Sequence, residues 1–295
     1  MMTVVNVGFA ERAWPTEYGD VLTASWYPSV PAVAAKSYAR VFPARAAHHA
    51  TPVAGRHPLL LLVSGSGGNR YTYSYLAEDL ARRGCWVMAP ELPCEIRVGD
   101  SWAALWRQAI ALRAVTDQAR LSEAARLDGA GPIWVGHSIG GTLGVLWAGA
   151  RPDCADGRWA AAADEVAHTM SGSLPPLRAL VLLDAAVSRA FSRTALARVR
   201  VPAAVVTSGI TDVDLFGRAS RYAQHLGDVR LVHELAEAGH FVYCNPCPPM
   251  LASISPRACS GERVDRASFH PRLTELIGNF LSPWLSGASK GSRAA

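Results

Sequence analysis

The amino-acid sequence predicts an α/β protein in which a mostly parallel sheet is covered by helices on both faces. Short, continuous apolar runs alternate along the chain with segments of helical spacing, as expected where buried strands alternate with covering helices. The chain has 295 residues, of which 50% are hydrophobic and 18% are charged. Because this length suits one large sheet domain, we expect a single domain over residues 1–295.

The beginning and the end of the chain carry the weaker structural signals. Residues 20–27 alternate between apolar and polar side chains, which predicts an edge strand ended by Pro28 and Pro31. Residues 31–57 show no period and predict a long loop that is a candidate partial lid. Residues 286–295 are expected to form a disordered tail.

The middle of the chain predicts six strands and the helices between them. The strands are continuous apolar runs at residues 58–65, 85–90, 132–136, 177–184, 201–209 and 229–235. Helical spacing occurs at 73–84, within 101–127 and at 140–150. Only 16 residues separate Asp184 from Val201, too few for a large helical cap, which predicts an open site.

Charge and hydropathy narrow the classes of partner. The net charge is +5, with 29 Lys and Arg against 24 Asp and Glu, and the basic residues are scattered, so we expect no nucleic-acid partner. No apolar stretch approaches the ~20 residues of a membrane-spanning helix. The first residues lack the pattern of a signal peptide, which predicts a cytoplasmic protein, or a periplasmic or secreted one whose leader was removed. The oligomeric state is left open.

The six cysteines predict one disulfide rather than a metal site. Cys244, Cys247, Cys259 and His270 lie at spacings that could in principle hold zinc. Zinc sites usually contain two tightly spaced ligand pairs, and only the first pair is tight here. A disulfide between Cys247 and Cys259 that fixes a loop is therefore favoured, and no metal is expected.

One serine lies where the sequence predicts an exposed turn between a strand and a helix. Gly136-His137-Ser138-Ile139-Gly140 matches the pattern G-x-S-x-G, between a buried strand and a helix. Such a turn presents the serine hydroxyl at a helix N-terminus, where the N–H of Ile139 can stabilise an oxyanion. A chance match is the alternative, but the strand and helix on either side favour Ser138 as a nucleophile.

A nucleophilic serine needs a base and a residue that orients the base. His240 follows the last predicted strand on a loop that returns to the carboxyl ends of the strands, and it is the base we choose. Asp212 follows the strand at 201–209 and is the preferred acid, whereas Asp184 at the end of the preceding strand is the second choice. Asp214 is a weaker third candidate.

The turn after the first buried strand is the expected source of the second oxyanion-hole donor. Ser64-Gly65-Ser66-Gly67-Gly68-Asn69 is glycine-rich, and the N–H of Ser66 is the best candidate. A phosphate-binding loop is a weak alternative, because the last glycine of G-x-G-x-x-G is missing and no G-K-[ST] follows.

With Ser138, an aspartate and His240 in this chain order, the sequence resembles the α/β-hydrolase superfamily, and within it the bacterial dienelactone-hydrolase-like and platelet-activating-factor-acetylhydrolase-like serine esterases. The resemblance runs from VLTASWYP through PLLLLVSGSGGNR, VGHSIGG and EAGHFVYCNPC to RVDRASFH. It differs at Ser64, where the family usually has the histidine of His-Gly-x-Gly-Gly. Dienelactone hydrolases use a cysteine nucleophile, and acetylhydrolase relatives place their acid after the earlier strand, which keeps Asp184 in contention.

These observations predict a serine hydrolase that cleaves carboxylic esters through an acyl-enzyme on Ser138, without a cofactor, acting on a small-molecule ester. One alternative is an acyltransferase, amidase or thioesterase of a biosynthetic pathway that uses the same triad. The other is a catalytically silent protein of this fold that binds a ligand, which the serine at position 64 suggests.

Overall fold

The computed structural model describes residues 4–92, 102–153, 175–210, 213, 215–248, 252–253, 256–259 and 264–285. The described part of the chain contains eleven strands: β1 Val4–Thr16, β2 Gly19–Val33, β3 Ser37–Tyr38, β4 Phe42–Pro43, β5 Ala47–His48, β6 Leu59–Val63, β7 Trp86–Pro90, β8 Ile133–His137, β9 Ala179–Leu183, β10 Ala203–Ser208 and β11 Val229–Leu235.

Nine of these strands form one sheet in the order β11-β10-β9-β8-β6-β7-β2-β1-β5, and β3 and β4 pair separately. The strands from β6 to β11 pair in parallel, whereas β2 pairs antiparallel with both β1 and β7. The carboxyl ends of the parallel strands therefore lie along one edge, where ligands bind in open α/β sheets. The predicted mostly parallel sheet is confirmed.

Helices cover both faces of this sheet. They are α1 Ser74–Arg82, α2 Trp102–Ser122, α3 Ile139–Trp147, α4 Arg193–Ala197, α5 Ser220–His225, α6 Pro256–Cys259 and α7 Arg266–Leu285, and two 3-10 turns cover Ser188–Ala190 and His240–Tyr243. Along β6, Leu61 packs into a core with α2 and α3, and Leu60 packs into a second core with α1 and α7. A strand buried on both faces gives the continuous apolar run seen in the sequence.

The N-terminal part of the sheet differs from its prediction. β1 was not predicted, and β2 continues to Val33, through Pro28 and Pro31. β2 is not an edge strand, because it lies between β1 and β7. It pairs with β7 only over Thr23–Trp26, so the missing N–H groups of the two prolines cost no hydrogen bond on that side.

Residues 31–57, predicted as a loop and candidate lid, contain the end of β2 and the short strands β3, β4 and β5. β5 pairs in parallel with β1. The carboxylate of Glu78 in α1 accepts hydrogen bonds from the Tyr38 hydroxyl (2.7 Å) and the Arg45 N–H (2.6 Å). These hydrogen bonds attach the segment to α1. A lid function for residues 31–57 stays a prediction.

The C-terminal helix was also not predicted. In α7, Leu273, Ile277, Leu281 and Leu285 recur every four residues, and all are buried. Within 101–127 there is one helix, and between Asp184 and Val201 the chain forms only a 3-10 turn and the five-residue α4. The predicted tail at 286–295 lies outside the described residues. None of the helices that the structure describes has the length and hydropathy needed to cross a membrane.

Candidate active site

Ser138 occupies a sharp turn between β8 and α3. Its φ of 54° and ψ of −122° lie in a region that side-chain-bearing residues rarely adopt, and such strain is concentrated at functional sites. A Cβ added at Gly136 would overlap the Gly140 carbonyl, and one at Gly140 would overlap the Val63 carbonyl. Glycine is therefore required on both sides of the serine, as G-x-S-x-G predicts.

Backbone hydrogen bonds hold this turn in place. The Ser138 N–H donates to the Leu183 carbonyl at 3.0 Å. The Ser138 carbonyl accepts from the N–H groups of Gly141 (3.0 Å) and Ala186 (3.1 Å). Because Leu183 and Ala186 flank the end of β9, the strained serine is fixed to the neighbouring strand.

His240 and Asp184 form a buried pair beside this turn. Asp184 directly follows β9 with a φ of 43°, and His240 begins the 3-10 turn after β11. The Nδ1 atom of His240 lies 2.7 Å from Asp184 Oδ2, and the two side chains are only 5% and 7% exposed. The other carboxylate oxygen accepts from the Ser208 N–H at 3.2 Å. The carboxylate thus favours a proton on Nδ1 and leaves Nε2 as the basic nitrogen.

The structure therefore brings the second-choice acid, Asp184, to the histidine. Asp212 and Asp214, the first and third choices, lie outside the described residues. Spacing along the chain favoured Asp212, but the Asp184 carboxylate, after β9, reaches the histidine after β11 across the intervening strand β10.

A cavity of about 530 Å³ joins the serine, the histidine and the glycine-rich turn. It is lined by Phe42, Gly65, Ser66, Gly67, Gly68, Asn69, Thr72, Tyr73, His137, Ser138, Val213, His240, Phe241, Cys244, Asn245, Cys247, Ala258 and Arg266. A Cβ on Gly65 would lie 2.9 Å from the Ser138 Cβ, so the turn passes directly over the serine. Ser66 lines this cavity, and Ile139, which begins α3, directly follows Ser138 in the chain.

A second cavity of about 450 Å³ lies against Asp184 and His240. Its lining is more polar and includes Arg189, Thr207 and Glu234. His240 and Val213 line both cavities, so the histidine has space on two sides.

The cysteine-rich segment forms one wall of the first cavity. Cys247 and Cys259 form a disulfide, which confirms that prediction and excludes them as zinc ligands. The Arg266 guanidinium donates hydrogen bonds to the carbonyls of Asn245 (3.1 Å) and Ala258 (2.5 Å). It therefore links the two segments that contain Cys247 and Cys259.

His270, the fourth residue of the zinc alternative, has a structural role. It donates from Nε2 to the Val242 carbonyl at 2.9 Å and stacks on Tyr75, with ring centroids 3.6 Å apart. Burial lowers the pKa of His270 to about 4, so the ring is neutral at pH 7. Among the described residues, no cluster of His, Cys, Asp and Glu could hold a metal ion.

Sequence reasoning overlooked His137 and Tyr73, which also line the cavity. In the structure the His137 ring is buried, with Nδ1 2.7 Å from the Tyr73 hydroxyl and Nε2 2.8 Å from the His240 carbonyl. A polar residue ending a strand that is buried throughout was the available signal, because buried polar groups require partners.

The order of strands and the strained serine after the central strand define the α/β-hydrolase fold. No protein-family model matches the chain, and no curated protein sequence matches it. Solved structures match along most of its length, and at the identities below they establish the fold.

These structures include three that are named for hydrolytic activities. A ferulic acid esterase from Streptomyces cinnamoneus has a TM-score of 0.63 at 19% identity, with 98% of this chain and 94% of the esterase covered. Esterase 2 from Thermogutta terrifontis has a TM-score of 0.56 at 16% identity, covering 95% and 96%. A dienelactone hydrolase from Anabaena variabilis has a TM-score of 0.55 at 14% identity, covering 95% and 99%.

Proposed function

We propose that this protein is a serine hydrolase of carboxylic esters. The observation that carries the proposal is the position of Ser138, in a strained turn that opens into the same cavity as a histidine paired with Asp184. An unactivated serine hydroxyl is a weak nucleophile, and an oriented histidine is the usual way to activate it. The matching folds of proteins named as esterases agree with this reaction class.

In the proposed reaction, Ser138 Oγ attacks the ester carbonyl carbon while its proton passes to Nε2 of His240. The carbonyl oxygen becomes an oxyanion bound by the N–H groups of Ile139 and Ser66. The C–O bond to the alcohol then breaks, and the alcohol leaves with the proton from His240. Water then attacks the carbonyl carbon of the acyl-enzyme while its proton passes to Nε2 of His240. The bond to Ser138 Oγ breaks, the acid is released, and His240 returns the proton to the serine.

Asp184 has two effects in this scheme. It holds Nδ1–H toward itself, so that Nε2 remains available to accept the serine proton. Its negative charge also stabilises the imidazolium formed when His240 takes up that proton. Because both side chains are buried, their interaction is screened less by solvent than it would be at the surface.

The test is hydrolysis of a p-nitrophenyl ester series, from acetate to decanoate, with methyl ferulate as an aromatic acyl ester. We expect Ser138→Ala to lower kcat/KM by at least ~10³-fold and to abolish labelling by a fluorophosphonate. Ser122→Ala, at the exposed end of α2, is the matched control and should retain both. Equal rates in wild type and Ser138→Ala would refute the nucleophile.

Product analysis separates hydrolysis from transfer to another acceptor. Wild-type protein is incubated with an active ester in water, with and without added amine, alcohol or thiol. Free acid as the main product supports the hydrolase, whereas preferential formation of an amide, a new ester or a thioester supports the transferase alternative. Absence of labelling and turnover with every ester would favour the ligand-binding alternative.

A further inference from the structure

His137, the residue before the serine, is enclosed by aromatic side chains. Its ring centroid lies 4.4 Å from that of His240, 5.2 Å from that of Tyr243 and 5.7 Å from that of Tyr73. His137 is 3% exposed. Its two ring nitrogens contact the Tyr73 hydroxyl and the His240 carbonyl, so both polar atoms of the ring are satisfied in the protein interior.

The partners determine which nitrogen carries the proton. A carbonyl oxygen can only accept, so Nε2 of His137 must carry the hydrogen that it donates to His240 at 2.8 Å. Nδ1 is then unprotonated and accepts the hydrogen of the Tyr73 hydroxyl at 2.7 Å. Burial holds the pKa of His137 well below its usual range, so this neutral form persists through the physiological range.

The glycine-rich turn lies against the same two side chains. Gly65, the residue before the proposed oxyanion donor Ser66, lines one cavity with Tyr73 and His137, and a Cβ on Gly65 would lie 3.4 Å from His137 Nδ1. The two hydrogen bonds of the His137 ring run in one direction, from the Tyr73 hydroxyl to His137 and from His137 to the His240 carbonyl. Hydrogen bonds aligned in this way polarise and strengthen one another.

We propose that Tyr73 and His137 are positioning residues that hold the oxyanion-binding turn and the backbone of the base at a fixed separation around Ser138. The proposal rests on the proposed ester hydrolysis at Ser138. Neither residue takes a proton from the substrate, and both act through the groups they hold.

The neutral state of His137 is also part of this role. When His240 becomes an imidazolium during the reaction, a second positive charge on a ring 4.4 Å away would oppose it. A neutral ring that donates to the His240 carbonyl adds no such charge.

The proposal is tested with three variants and one matched control. Tyr73→Phe removes a single oxygen, His137→Leu removes both hydrogen bonds of the ring, and His137→Gln supplies an amide donor and acceptor in their place. Tyr27→Phe is the control, because Tyr27 also carries a buried hydroxyl bonded to a carbonyl, that of Ala50 (3.0 Å), away from the site.

We expect kcat for p-nitrophenyl esters to fall about 10- to 100-fold in Tyr73→Phe and His137→Leu, with KM changed less than about threefold, since positioning acts on the transition state more than on substrate binding. His137→Gln should recover most of the loss, and Tyr27→Phe should keep the wild-type kcat. Unchanged kcat in Tyr73→Phe, or equal losses in Tyr73→Phe and Tyr27→Phe, would overturn the proposal.

Nuclear magnetic resonance of ¹⁵N-histidine-labelled protein tests the hydrogen-bond chain without any turnover. His137 should show a protonated Nε2 and an unprotonated Nδ1 with shifts constant from pH 5 to 9, and the signal should disappear in His137→Gln. A His137 ring that titrates in this range would overturn the chain even in an active enzyme. Failure of the proposed function itself would appear separately, as wild-type protein with this signal but no fluorophosphonate labelling.

Discussion

Two walls of the first cavity, which contains Ser138 and His240, are stabilised by different interactions. The inner wall, formed by Gly65, His137, Ser138 and His240, lies at or after the carboxyl ends of β6, β8 and β11, and the Ser138 backbone is fixed to β9 by its hydrogen bond to Leu183. The outer wall is formed by Phe42, Cys247, Ala258 and Arg266, outside the nine-stranded sheet, and its last three residues are linked by a disulfide and by the Arg266 guanidinium.

This difference suggests that the inner wall carries the proposed reaction and that the outer wall determines which substrates fit. Strained conformations persist only where the surroundings enforce them, and the positive φ angles of Ser138 and Asp184 both occur at the sheet. The outer wall contains no member of the proposed triad, and in the proposed reaction we expect it to determine how much of an acyl group or alcohol can enter. Changes to the inner wall should therefore reduce kcat, and changes to the outer wall should alter stability and substrate range.

The largest expected effect is that of Asp184→Asn. The carboxamide can present N–H instead of an acceptor to Nδ1 of His240, which favours the wrong tautomer, and kcat should fall by about 10³- to 10⁴-fold with little change in stability. The measurement is ester hydrolysis alongside Asp212→Asn, the acid that spacing alone favoured. A greater loss in Asp212→Asn than in Asp184→Asn would assign the acid to the other strand.

A smaller effect is expected when the disulfide of the outer wall is removed. Cys247→Ser with Cys259→Ser frees a loop of 12 residues' separation, which should lower the free energy of unfolding by about 2–3 kcal/mol. Acetate hydrolysis should persist, while the preference among longer esters should change. Urea unfolding gives the first quantity, and the ester series gives the second.

The matched control for this experiment is wild-type protein with a reducing agent. Reduction should lower the free energy of unfolding of the wild-type protein toward that of the double variant. It should leave the free energy of unfolding of the double variant unchanged. Complete loss of acetate hydrolysis in folded double variant would mean that the outer wall contributes to the chemistry, and the division between the walls would fail.

The smallest expected effect is on the pH dependence of stability and concerns Glu78. Its carboxylate accepts hydrogen bonds from Tyr38 and Arg45, on either side of Phe42. Burial raises the pKa of Glu78 above its ordinary value, although its hydrogen bonds from Tyr38 and Arg45 oppose this shift. The folded protein then binds the proton more tightly than the unfolded chain, so stability is lost as the pH rises from 4.5 through the raised pKa. Glu78→Gln should flatten this decline in urea-unfolding measurements, and an unchanged slope would contradict it.

The central strands could be predicted because parallel strands buried on both faces give uninterrupted apolar runs such as LLLLV at β6. β1 gave no such run, since Glu11 and Arg12 are exposed within it, although only two residues separate it from β2, with which it pairs. α7 was obscured by Pro271 and Pro283, although its four-residue apolar spacing was present.

At the site, the G-x-S-x-G turn and the late histidine could be proposed from the sequence because each has a local pattern. The acid could not be chosen from the sequence, since two aspartates follow adjacent strands and only backbone geometry shows that Asp184 reaches His240. His137 was overlooked for a related reason: its partners, Tyr73 and the His240 carbonyl, are 64 and 103 residues away in the chain.

The hydrogen bonds of His137 also bear on how freely this chain can vary. Sequence patterns for a nucleophilic serine leave the preceding position unspecified, as if any residue served there. Here a donor, an acceptor and a flat ring are all used at that position, so a saturation library at position 137 should yield few active clones. Most of those would need a second change at Tyr73 or near Gly65, and the two positions would vary together among functional descendants.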